Sequence, residues 1–462
     1  MTAPDGRAPL RILGGGPAGL AAAHYAHARG LRFTLHEAGP ATGGNCRTLN
    51  LGPCRYDTGA HRLHARDPEA AALFRDLLGD DLAVVNAPSR IVRAGRTFAF
   101  PPEPRDLLRG LTAREILRVA LDTAARAFRR PGTTHPANFR DLAVMRYGTT
   151  LADLFLLGYT RKLWGRDPAL LSPAVAGGRL DGLNLGTLTK TLIRSLTGPG
   201  AGARVAHLDG AFLYPPRGIG ALFEALTARL PAESVHPNER ISRLRHEDGR
   251  IVSIRIERLD DPGRHTIDDL PVTNVVSTLP LPALLRALDP APPRDVLARA
   301  DRIAFRNLIL CVLRLGRPRF TPNASLYFPD GDIPFTRLYE PKNRGPLMAP
   351  QSETCLVLEI PCDPDDQTWR AEDATIVEST LTALERAMGA AGAIRADVLE
   401  TSVQRISHAY PVLERSHEDD VAAMLAYCNT FANLRLAGRN ALFRYAHIHD
   451  MFRQGKEAVG KL

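Results

Sequence analysis

The chain has 462 residues, 44% of them hydrophobic and 24% charged, and a formal net charge of +9 with 59 Lys plus Arg. These are the proportions of a globular enzyme of more than one domain and exclude a disordered or fibrous chain. No run of about 18 apolar residues occurs, so no transmembrane helix is predicted; the basic balance suits an anionic ligand, but the basic block expected of a nucleic-acid binder is missing.

Met1–Pro9 is short and polar, unlike a signal peptide. The apolar run Leu10–Leu13 then leads into Gly14-Gly15-Gly16-Pro17-Ala18-Gly19, an Ala-rich segment ending near Gly30, a second strand-like run Leu31–His36, and Glu37. Strand, glycine turn, helix, strand and acid in that order make a dinucleotide-binding unit. Gly14 permits the turn, Gly16 lets backbone N–H groups approach a pyrophosphate, and Gly19 permits close helix–strand packing. Glu37 is placed to accept hydrogen bonds from a ribose.

Pro101-Pro102-Glu103-Pro104 marks a crossing into a region of helical patterns, among them Leu107–Ala127 and Leu151–Leu163. Gly218-Ile219-Gly220 opens another helix, and Ile241–Leu244 and Ile251–Ile256 flank a turn as a hairpin. Val275–Pro280 reads as a buried strand returning to the first sheet. Strands are expected to dominate from Phe305 to about Ile406, and Leu434–Leu462 reads as strand, glycine turn and helix. The predicted fold class is therefore α/β. A discontinuous Rossmann-like cofactor domain (1–95, 200–300 and 407–462) is joined by a mainly helical insertion (96–199) and an antiparallel-sheet substrate domain (301–406). Cys46, Cys54, Cys311, Cys355, Cys362 and Cys428 have no metal-ligand spacing and read as reduced thiols of a cytoplasmic protein. His61 and His64 have no third or fourth ligand beside them in sequence, and no metal is expected.

Six residues after Glu37 comes Gly43-Gly44-Asn45-Cys46-Arg47-Thr48. This resembles the Gly-Gly-x-x-x-Thr extension of FAD flavoproteins of the amine oxidase, phytoene desaturase and UDP-galactopyranose mutase superfamily. Further segments resemble the mutase family in its own order. They are Gly59-Ala60-His61-Arg62-Leu63-His64; Tyr159-Thr160-Arg161-Lys162-Leu163-Trp164-Gly165-Arg166-Asp167-Pro168; Arg179; Arg306; Phe335-Thr336-Arg337-Leu338-Tyr339-Glu340; Tyr410-Pro411-Val412; and Gly438-Arg439 followed by Tyr445.

The resemblance implies FAD held by Gly14, Gly16, Gly19, Glu37, Gly43, Gly44, Asn45, Arg47 and Arg439. It implies a nucleotide-diphosphate sugar held by Trp164, Arg179, Arg306, Arg337, Tyr410 and Tyr445, with His61, His64 and Arg179 around the chemistry. The implied reaction is pyranose–furanose isomerisation through an N5–sugar adduct of reduced flavin, with NAD(P)H as reductant, in a homodimer without nucleic-acid or membrane partners. Singly, Trp164 reads as a core aromatic, His61 and His64 as loop histidines, and Arg179 and Arg337 as solvated arginines. As a set they supply the forked donors and hydroxyls that two buried phosphates require. The chain also departs from the mutase pattern. His447 and His449 stand where that family has acids, and Tyr214–Gly220 resembles the oxidase and desaturase group more closely. The alternative is thus an FAD-dependent oxidase or desaturase of the protoporphyrinogen oxidase or amine oxidase type.

Overall fold

Leu10–Leu13 is buried at every position, as a central strand covered on both faces must be. In the computed structural model, which describes residues 8–100, 102–127, 135–177, 212–260 and 266–462, it lies at the centre of a five-stranded sheet. The order is Leu434–Leu436, Val275–Ser277, Leu10–Leu13, Phe33–His36 and Val235–His236, with every pairing parallel. Distant parts of the chain therefore build one sheet. Ile12 faces Leu35 on one side and Val276 on the other. The helix Pro17–Ala28 begins with Pro at its first turn, where the missing N–H costs nothing. It buries Ala18, Leu20, Ala21, Ala22, Ala23 and Ala26. Its small residues let the C-terminal helix Ile448–Gly460 pack in backbone contact: a methyl group on Gly455 would lie 2.6 Å from the Ala18 carbonyl oxygen.

A seven-stranded sheet stands opposite, in the order Val398–Pro411, Phe305–Leu315, Thr354–Cys362, Arg337–Tyr339, Ser325–Tyr327, Ser89–Arg93 and Arg96–Phe100. All its pairs are antiparallel except Ser325–Tyr327 with Ser89–Arg93. This mixed α/β architecture of one parallel and several antiparallel sheets is the predicted fold class. Two features differ from expectation. Ser89–Arg93 and Arg96–Phe100 belong to this second sheet, so the chain leaves the first sheet's neighbourhood before residue 95. The strand-dominated stretch 305–406 also contains a helix, Asp373–Met388, whose Ile376, Leu381, Leu384 and Ala387 pack against the sheet. The helical insertion is built from Pro104–Gly110, Ala113–Ala127, Phe139–Tyr147, Thr149–Ala152 and Gly158–Trp164, the last two joined by a π-helical turn at Asp153–Leu157. Among the described residues no helix is long and apolar enough to cross a membrane, and all six cysteines are free and buried.

Candidate functional site

The first glycine turn fixes one end of the site. Gly14 has φ +99°, a conformation open mainly to glycine. Glu37 closes the turn: its carboxylate oxygens accept the Gly15 N–H at 2.7 Å and the Gly39 N–H at 2.6 Å. The second glycine pair folds against the first. The Gly43 N–H donates to the Gly15 carbonyl at 2.8 Å, and a methyl group on Gly44 would lie 3.0 Å from the Gly16 Cα. Two side-chain-free backbones thus meet at the N-terminus of the Pro17–Ala28 helix, where the helix dipole and its first N–H groups favour an anion. Beside them the Arg47 Nε is buried without a hydrogen-bond partner among the described residues, an expensive arrangement unless a ligand accepts from it. The cradle and the orphaned donor fit the pyrophosphate region of a flavin dinucleotide.

From there a cavity runs between the helical insertion and the seven-stranded sheet. It brings together eight residues singled out from sequence: Asn45, His61, His64, Trp164, Arg337, Tyr410, Arg439 and Tyr445. Gly14, Gly16, Gly19, Glu37, Gly43, Gly44 and Arg47 belong to the glycine end instead. Arg179 lies outside the described residues.

Arg306 is a correction. It is buried away from the cavity wall, binds Asp363 at 2.8 Å, and donates to the Leu163 and Lys162 carbonyls at 3.3 Å each. Those carbonyls end the Gly158–Trp164 helix and lack intrahelical partners. Arg306 therefore caps the helix that presents Trp164 rather than facing a ligand. Arg166 supports the same corner through Glu414 at 2.7 Å and Asp363 at 3.2 Å.

Within the cavity, Arg337 is held by Glu359, with Nε donating at 2.9 Å and Nη2 at 2.7 Å. Burial opposes the Arg337 charge, but Glu359 and the hydroxyls of Tyr327, Tyr410 and Tyr159 outweigh it and raise its pKa well above the ordinary value. Its Nη1 makes no hydrogen bond among the described residues. Trp164 packs edge-on to Tyr410 at 5.8 Å, and the Arg439 guanidinium lies 5.2 Å from the centre of the same tyrosine ring while donating to the Ala409 carbonyl at 2.7 Å. The sequence did not single out Tyr327 or Glu359, and Tyr159, though part of the Tyr159–Pro168 segment, carried no assigned role. Glu359 had a signal, being the only acid in a nine-residue strand buried throughout, Thr354–Cys362, and a buried carboxylate demands a cation.

Burial and neighbouring cations hold His61 and His64 toward their neutral forms. His61 Nε2 donates to the Asn45 carbonyl at 2.6 Å, leaving Nδ1 3.8 Å from the Cys46 sulfur. Burial, then the Arg439 charge, pushes its pKa down to about 3. His64 packs against His447 and His449 with ring centroids 5.5 and 6.4 Å away. Burial, then His447, Arg66 and Arg62, brings it down to about 4. Nearby, burial raises the Asp57 carboxyl to about 6 despite hydrogen bonds from Tyr214, Thr48 and the Ile219 N–H. Below about pH 6.5 the unfolded chain takes up protons on both imidazoles that the folded protein refuses. Their stabilisation is complete above that pH and is lost on acidification through about 4 and 3. Asp57 acts in the opposite sense, since its folded pKa is raised, but it is one group against two. Urea midpoints should therefore fall between about pH 7 and about pH 5, and the fall should shrink in His64→Asn. An unchanged pH dependence in that variant would show His64 to be protonated already in the folded state.

No Asp or Glu appears among the described residues that line the cavity, while Arg62, Arg66, Arg337, Arg439, His61, His64 and His447 do. Groups of His, Cys, Asp and Glu able to hold a metal ion are also absent among the described residues.

The model of the family described as flavin containing amine oxidoreductase matches residues 17–462. Coproporphyrinogen III oxidase of Bacillus subtilis (strain 168) is 24% identical over 488 residues, spanning 98% of this chain and 98% of that protein. The crystal structure of reduced UDP-galactopyranose mutase superposes with a TM-score of 0.80 at 20% identity, covering 98% of this chain and 93% of that one. A putative protoporphyrinogen oxidase from Exiguobacterium sp. 255-15 gives 0.72 at 20% identity, covering 98% and 97%. Both structures share the fold. With the family model matched over all but its first sixteen residues, this chain belongs to the flavin containing amine oxidoreductase family.

Proposed function

We propose that the protein is an FAD-dependent sugar-nucleotide mutase, interconverting pyranose and furanose forms of a nucleotide-diphosphate sugar. One observation carries this reading. The described cavity wall offers four arginines, three histidines and the tyrosines Tyr159, Tyr327, Tyr410 and Tyr445, without a carboxylate. Such a wall disfavours the cationic amine that the family description suggests and favours an anion rich in acceptor oxygens. The Tyr159–Pro168 segment and the cluster of hydroxyls about Arg337 favour a diphosphate.

Gly14, Gly16, Gly19, Glu37, Gly43, Gly44, Asn45, Arg47 and Arg439 would hold FAD. In its reduced form, with NAD(P)H as reductant, FAD would supply the nucleophile. The protein's part is positioning and charge stabilisation. The Arg337 Nη1 and the tyrosine hydroxyls hold the diphosphate as it leaves and returns, and Arg179 is assigned the same role. Trp164, held by the capped helix end, packs one flank of the sugar nucleotide. Phe100, Phe155 and Leu163 exclude water, which keeps the separated diphosphate close. His61 is a donor locked onto Asn45 and so orients its loop; His64 is the neutral imidazole available to accept a proton.

The full-length similarity to a coproporphyrinogen III oxidase favours a second reading, an oxidase acting on a carboxylate-bearing tetrapyrrole. The two readings separate in one experiment. The dithionite-reduced protein is incubated with UDP-, TDP- and GDP-hexoses, and the oxidised protein with coproporphyrinogen III in air. Isomerisation confined to the reduced protein establishes the mutase. Hydrogen peroxide and coproporphyrin without isomerisation establish the oxidase.

A further inference from the structure

The helix Ala113–Ala127 has two faces of opposite character. Its inward side carries Ile116 and Val119, which pack on the core, Glu115, which binds Arg93 at 3.1 Å, and Asp122, which accepts the Thr150 N–H at 2.7 Å. Its outward side is made of Ala113, Arg114, Leu117, Arg118, Ala120, Leu121, Ala124 and Ala125, all exposed. At about 100° per residue these positions fall in one band. Leu117 and Leu121 run along the middle. Ala113, Ala120 and Ala124 form one flank, and Arg114 and Arg118, with Ala125 between them, form the other. Leu117 is 61% exposed and Leu121 59%, among the most exposed large apolar side chains described. The preceding helix, Pro104–Gly110, adds exposed Arg105, Leu108 and Arg109.

We propose that this outward face seats the protein on an anionic lipid surface. The apolar centre and one-sided arginine flank have the composition of a helix that lies in the plane of a membrane interface. The leucines enter the acyl boundary while the guanidiniums reach phosphate headgroups along their apolar stems. Charge argues against the obvious alternative, a second copy. An antiparallel twofold contact would set the arginine flank against itself and a parallel one would set it against bare alanines, and the helix's own acids that could answer it, Glu115 and Asp122, are committed inward. Nucleic acid would use the arginines but leave the two leucines in water. The sequence predicts no membrane partner because it holds no spanning segment; contact at the interface needs none. The face also lies outside the cavity wall, so this proposal stands whichever reaction the protein performs.

The test is flotation of the flavin-loaded protein with vesicles of phosphatidylcholine alone and of equimolar phosphatidylcholine and phosphatidylglycerol. Binding to the mixed vesicles is expected, weakened by raised salt. The Leu117→Ser/Leu121→Ser and Arg114→Gln/Arg118→Gln variants should each lower the partition coefficient about tenfold or more. Both alter only exposed side chains, and retained flavin absorbance checks that they fold. Failure to float with the mixed vesicles overturns the proposal, as does equal binding by wild type and both variants. It is also overturned by self-association in sedimentation that the leucine variant abolishes.

Discussion

A Gly19→Ala protein should lose its folded first sheet and, with it, its flavin. The added methyl carbon would lie 1.9 Å from the Gly14 carbonyl oxygen and 3.0 Å from the Gly14 carbonyl carbon. The obstructing atoms are backbone, in a turn that Gly14 holds at φ +99° and that Glu37 ties down through Gly15. No side chain can swing aside to relieve the overlap. Such overpacking should cost about 3 kcal/mol, a large share of a stability that for most proteins is only about 5–15 kcal/mol. Gly16→Ala makes the informative contrast. Its methyl group would meet nothing nearer than the Gly44 Cα at 3.9 Å, so the protein should fold normally yet retain little flavin, because the methyl group occupies space a pyrophosphate needs. Thermal unfolding and flavin absorbance, measured on both variants, check the pair. A Gly16→Ala protein purified yellow would mean the cofactor does not approach that backbone.

That contrast also shows why the cofactor end was legible in the sequence. A ligand read by bare backbone demands glycine at fixed spacing, and the demand is written in consecutive residues. The parallel sheet followed, since Val275–Ser277 and Leu434–Leu436 are short apolar strands beside glycine or proline. The Asp373–Met388 helix was obscured by its composition: Thr375, Ile376, Val377, Thr380 and Thr382 are β-branched and favour strands locally. Burial of Ile376, Leu381, Leu384 and Ala387 on one helical face overrides that preference. Arg306 was misplaced for a different reason. A sequence shows that an arginine is present but not whether its fork meets a ligand or a helix end, and here Gly165 turns the chain so that the Leu163 and Lys162 carbonyls reach it first. The Arg337–Glu359 pair was half legible, because its partners lie on neighbouring strands whose register no local pattern records.

Arg337 then carries the sharpest test of the substrate reading, since it has two jobs that can be separated. Glu359 has a side chain only 2% exposed, and Arg337 satisfies it through two hydrogen bonds. Arg337→Ala leaves that carboxylate buried with little beyond the Ala60 N–H at 3.1 Å, and should destabilise the fold by about 3–5 kcal/mol. Removing the charge as well, in Arg337→Ala/Glu359→Gln, should recover much of that loss, because the expensive element is an unpaired charge and not the missing contact. Nucleotide affinity should behave differently. If Nη1 holds a diphosphate, UDP, TDP or GDP binding should be weakened by about 2 kcal/mol or more in the single variant and stay weak in the stabilised double variant, with flavin still bound. Chemical denaturation and calorimetric titration of the two proteins give both readings. Recovery of nucleotide affinity along with stability would make Arg337 a structural partner of Glu359 alone, and the anion would then have to be held by Arg62, Arg66 and the histidines on the same wall.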